Sequence, residues 1–139
     1  MEGKKRANNR TILLGCGLLG LVALIGAIAL LAVIIDQDRQ AARYPGAALV
    51  SRRNIYSPAA NTVLWHDAFR HTEPVWDIFE WYHTQFGLTL DLTSHTMKDG
   101  CYTLTGVKRS FIVERRMNVV VCETPSGQTI SVTRATSID

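Results

Sequence analysis

Charge is missing from twenty-five consecutive residues, Thr11 to Ile35. A helix buried in a globular protein of this size shows a polar stripe, and this run has none. Coiled as a helix it extends about 37 Å at ~1.5 Å per residue, against about 30 Å of bilayer hydrocarbon. The run is therefore expected to be a membrane span. Because no ionisable carboxylate, amine, guanidinium or imidazole interrupts it, it carries no sign of a channel, pump or proton relay.

Other absences narrow the rest. There is no glycine-rich phosphate cradle, no Gly-x-Ser-x-Gly elbow and no His-Glu-x-x-His pair, so the usual evidence for a nucleotide hydrolase, an esterase or a zinc protease is lacking. No internal repeat or low-complexity tract is found. Four of the fifteen Lys and Arg residues and one of the twelve acids precede the span, which leaves the remainder formally neutral. A neutral domain lacks the basic footprint of a nucleic-acid binder.

What is present begins with the basic tail Lys4, Lys5, Arg6 and Arg10. Its excess of positive charge over the other flank predicts a cytoplasmic N-terminus and an exported C-terminal part. A cleaved signal peptide would use a shorter apolar stretch and a small-residue exit such as Ala27-Ile28-Ala29. A lipoprotein signal at Leu13-Leu14-Gly15-Cys16 would leave most of the apolar run after the cysteine. An uncleaved signal anchor in the cell membrane fits the length and the flanks best. The expected organisation is a cytoplasmic tail over 1–10, a transmembrane helix over 11–35, a tether over 36–46 and an exported domain over 47–139. Cys16, Gly20, Ala23 and Ala27 fall on one helical face, a small-residue stripe of the kind that lets membrane helices pack closely. Small residues are also simply frequent in membrane helices.

The exported part reads as one small α+β domain, an antiparallel sheet with one helix packed on one face. Val75, Ile78, Phe79, Tyr82 and Phe86 recur at helical spacing. Thr72 or Glu73 is expected to cap this helix, with Pro74 in its first turn and Gly87 ending it. Asp77, Glu80 and Thr84 make its wet face, and Trp76 and Trp81 flank the apolar stripe. Strands are expected at Ala47–Arg53, Asn61–His71, Leu88–Thr96, Cys101–Thr105, Ser110–Glu114, Asn118–Glu123 and Gln128–Thr133. Asp99-Gly100 marks a hairpin, and Thr124-Pro125-Ser126-Gly127 a turn.

Cys101 and Cys122 are the only thiols outside the span. In an oxidising compartment they are expected to pair; the alternative is two small buried side chains in strands. The histidines His66, His71, His83 and His95 have no metal-ligand spacing. Asp77 and Glu80 share a helix face, which suits acid–base chemistry but equally a solvated surface. The basic pairs Arg52-Arg53, Lys108-Arg109 and Arg115-Arg116 read as solvated strand ends or as contacts to lipid headgroups. No catalytic, cofactor-binding or metal residue is nominated, and no cofactor is expected.

Tyr44-Pro45-Gly46-Ala47, the Thr72–Tyr82 helix start and the β-branched segments around Pro125-Ser126-Gly127 resemble small bacterial exported or membrane-anchored domains without an assigned activity. That resemblance implies a single α+β domain on a tether or anchor, and brings no functional residue with it. The leading expectation is a single-pass membrane protein whose exported domain binds a protein or surface component. An accessory subunit of a larger membrane complex, held through its span by another membrane protein, is the alternative. An enzyme at the outer membrane face comes after both. The expected partners are thus the lipid bilayer and another membrane protein, with no nucleic acid.

Overall fold

The computed structural model describes residues 3–57, 61–91 and 100–138, with backbone only for 3–14 and Ile138. The chain divides into two compact units, Met1–Ala42 and Arg43–Asp139.

The first unit is one helix, α1 (Gly3–Ala41). Its stretch Gly15–Ala41 is long and apolar enough to cross a membrane, which supports membrane anchoring. The helix runs on through the polar segment expected to start the tether. Asp36 and Gln40 lie one turn apart and the Gln40 amide donates to the Asp36 carboxylate at 2.8 Å, a pairing that supports helix. The non-helical part of the tether is correspondingly shorter.

The second unit is α+β. Its elements are β1 (Ala48–Ser57), β2 (Thr62–His71), α2 (Val75–Phe86), β3 (Thr89–Leu90), β4 (Cys101–Ser110), β5 (Val113–Thr124) and β6 (Gly127–Ile138). They make a six-stranded sheet in the order β1-β2-β6-β5-β4-β3, antiparallel throughout.

Paired residues of adjacent strands share a face. One face carries Phe69, Ile130, Val132, Val119, Val121 and Leu104, all buried, and α2 sets Val75, Ile78 and Tyr82 against it. Leu88 closes this core by lying over Gly106, where a Cβ would come within 2.6 Å of its Cδ2. The other face holds small and hydroxyl side chains in register, among them Thr103, Thr105, Asn118, Thr133 and Ser131.

Several expectations change in detail. Ser110–Glu114 is not a strand of its own. It contains the tight turn Phe111-Ile112 joining two long strands, with Ser110 paired to Val113. The β-branched alternation concealed that turn because Phe111, not glycine, takes the left-handed conformation at φ 54°. β1 and β6 run further than expected, to Ser57 and Ile138. β3 is only Thr89–Leu90, after which the Asp91 amide bonds Thr103. Residues 92–99, including the expected remainder of that strand, His95 and Asp99, lie outside the described residues.

Helix α2 matches its expected span but not its cap. Pro74 is the N-cap residue and no side chain caps it, whereas Gly87 ends the helix in the left-handed conformation at φ 65°. Thr72 and Glu73 do not cap because the chain is still leaving β2, and Glu73 is engaged elsewhere. Ile78 and Tyr82 are inaccessible, whereas Phe79 is half-buried beside Trp76, itself 59% exposed. Phe79 therefore stands at the margin of the core, and Asp77 and Glu80 are exposed.

Candidate interaction surface

The two ends of the sheet differ in what their side chains do. β1 starts, β2 ends and α2 begins at one end, called here the near end. The β4–β5 turn and the last pairs of β1 with β2 lie at the other, the far end.

At the near end one cluster of polar groups is committed internally, while Arg70, Asp77 and Glu123 are exposed. Tyr44 is buried, and its ring meets His71 at 5.0 Å and Trp81 edge-on at 5.3 Å. Its hydroxyl donates to the Glu73 carboxylate, and His71 Nε2 stands 3.6 Å from the same oxygen. Burial, then the hydrogen bond and charge of Glu73, push the Tyr44 hydroxyl up to about 12. That hydrogen bond, with His71 adding to it, holds Glu73 below the usual carboxylate range despite some opposing burial. The next residues turn back, with the Ala47 amide bonding the Tyr44 carbonyl at 3.1 Å. Arg43 Nε donates to the Ala47 carbonyl at 2.7 Å. The Tyr44-Pro45-Gly46-Ala47 segment is thus a latch pinning the start of the sheet under α2.

Cys101 and Cys122 face each other across β4 and β5 and are joined as a disulfide with Cα atoms 4.0 Å apart. Closing a loop of 21 residues stabilises by about 3 kcal/mol. Cys16, on α1, is free and exposed. Gly20, Ala23 and Ala27 are exposed on the same helix, and no atom lies within 4 Å of where a Gly20 Cβ would be.

The remaining chemistry-bearing side chains serve the sheet. His66 Nδ1 meets the Thr133 hydroxyl at 2.8 Å across strands. His83 Nδ1 lies 2.6 Å from the Leu88 carbonyl; a carbonyl only accepts, so Nδ1 is the donor. Asp67 is fully buried and faces Arg52 at 3.4 Å. Among the described residues, no three His, Cys, Asp or Glu side chains come together as a metal site.

The far end is arranged differently. Among the described residues, six of the nine large apolar side chains exposed outside α1 lie toward this end: Ile55 and Val107 on one face of the sheet, Tyr56 and Val63 on the other, and Phe111 and Ile112 at the turn. Phe111 caps the turn, its ring as open as in an extended peptide at 106% relative exposure. Behind it, Glu114 is gripped by two arginines on one face, Arg109 Nε at 2.5 Å and Arg116 Nε. These bonds, Arg116 first, hold Glu114 below the usual carboxylate range. On the opposite face Lys108 pairs directly with Arg115, and the register continues through Thr136 and Val63 to Tyr56. That row contains no acid.

Sequence reasoning named the two basic pairs around this turn but placed a strand across its apex. The readable signal was the pair of basic dipeptides, Lys108-Arg109 and Arg115-Arg116, on either side of Ser110-Phe111-Ile112-Val113-Glu114. No protein-family model matches the chain, and no curated protein is similar to it.

Proposed function

We propose that this is a single-pass protein of the cell membrane. In this reading its N-terminus is cytoplasmic, and its α+β domain is an exported binding module. The observation that carries the reading is the far end of the sheet, where apolar and cationic side chains are exposed together. At the near end Tyr44, His71 and Glu73 are instead engaged with one another. Exposed apolar residues scattered singly are ordinary on a soluble domain, whereas two adjacent ones at the apex of a turn, Phe111 and Ile112, support a contact surface. The Lys4, Lys5, Arg6 and Arg10 tail supports the orientation, and the Cys101–Cys122 bridge suits an oxidising compartment.

Two measurements test it. A reporter fused after Asp139 should be active only on the exported side. A photo-crosslinking residue at Val107 of the full chain, activated in native membranes, should form an adduct with protein or lipid. Activity on the cytoplasmic side removes the orientation, and no adduct at all removes the binding module.

A further inference from the structure

We infer that the β4–β5 turn docks on the anionic headgroups of a lipid bilayer, with Phe111 and Ile112 entering the interface. This inference rests on the binding-module reading and names its occupant.

The first argument is layering. Phe111 and Ile112 form the apex, Ser110–Val113 makes the first rung, and the charged pairs Arg109–Glu114 and Lys108–Arg115 make the second and third. At about 3.3 Å per residue, the cations sit roughly 7–10 Å behind the apex. Apolar faces of interfacial segments enter the headgroup–acyl boundary by about 5–10 Å. An apolar tip with cations two and three rungs back, Arg109 and then Lys108 and Arg115, thus follows the order of acyl chain and phosphate in a leaflet. Tyr56, on the same cross-sheet row as Lys108 and Arg115 and 67% exposed, is an aromatic suited to that boundary.

The second argument is electrostatic. Like charges placed directly opposite across strands destabilise a sheet. Lys108 and Arg115 are both exposed, and their row offers no carboxylate to offset them. An anionic surface supplies that counter-charge. On the other face Glu114 neutralises only one of its two arginines.

The third argument is conformational. Phe111 holds a positive φ of 54°, a region that favours glycine and asparagine and costs a bulky residue. Its ring gains no burial within the domain, so the fold itself does not need an aromatic here. Contact with a second phase does.

The test places a nitroxide on Ser110→Cys in the full chain carrying Cys16→Ala, which leaves Phe111 and Ile112 intact. The protein is reconstituted at low density in vesicles of phosphatidylcholine alone or with one part in three phosphatidylglycerol. Collision with a water-soluble nickel chelate and with oxygen reports the depth of the label. In anionic vesicles the label should lose nickel contact and gain oxygen contact, and in neutral vesicles it should not. Neutralising the pair with Lys108→Gln and Arg115→Gln should lower the docked-to-free ratio by about 25-fold, and Phe111→Ser should also release the label. Circular dichroism and the intact Cys101–Cys122 bridge show that the variants are folded. Equal exposure in both lipids, or equal protection in both, overturns the inference. Protection in native membranes without protection in either vesicle assigns the end to a protein and overturns the lipid inference alone. Exposure in all three overturns the binding module as well.

Discussion

The two ends of the sheet are built from similar residues and put to opposite uses. At the near end Tyr44, His71, Glu73 and Trp81 are turned on one another, and on the other face of the sheet Cys101 is bonded to Cys122. At the far end Phe111, Lys108 and Arg115, beside the β4–β5 turn, and Tyr56, on β1, are turned outward. Aromatic and charged side chains that lock one end of the domain are, at the other, available to something else. Stability and contact are thus separated along the strands.

The comparison breaks most visibly by substituting aromatics. Tyr82→Ala, at a fully inaccessible position, should destabilise the domain by about 3–5 kcal/mol, a large share of the roughly 5–15 kcal/mol a domain has. Denaturant unfolding of the full chain in detergent measures it. The next effect is the bridge. Cys101→Ala with Cys122→Ala should cost about 3 kcal/mol in the same assay. Reductant should reproduce the loss in the parent protein and leave the double variant unchanged.

A smaller effect concerns acid. Glu73 and Glu114 both titrate below the ordinary range in the folded state. Their contribution is therefore complete above the unfolded carboxylate value of about 4.3. It is lost as pH falls through the depressed folded values. Tyr44→Phe should weaken the acid dependence due to Glu73 and leave that due to Glu114. An unchanged acid limb in melting experiments would mean that the latch does not hold its carboxylate. Least of all should Phe111→Ser disturb folding, by no more than about 0.5 kcal/mol, because its ring touches nothing the domain needs. A loss as large as that of Tyr82→Ala would erase the distinction between the ends.

How far these ends were legible depended on whether a local signal existed. α2 could be read because Val75, Ile78 and Tyr82 keep helical period and Gly87 stops it. The pairing of Cys101 with Cys122 was legible from composition, since the residues offered only one partner each outside the span. The Tyr44 latch was not legible, because Glu73 lies 29 residues away and nothing local distinguishes it from a helix cap. The β4–β5 turn was hidden by Phe111, whose left-handed backbone carries no glycine to announce it. The half-exposure of Phe79 follows from how α2 rolls on the sheet, a tertiary fact that the periodicity of one helix does not contain.

The most direct test compares two introduced thiols in intact cells, Ser110→Cys at the far end and Glu80→Cys on the exposed side of α2, each in a Cys16→Ala background. A membrane-impermeant maleimide should label the Glu80 site without permeabilisation, and the Ser110 site markedly more slowly until detergent uncovers it. Labelling that requires permeabilisation at both sites, or equal rates at the two sites before and after detergent, would contradict an exported domain whose far end is engaged.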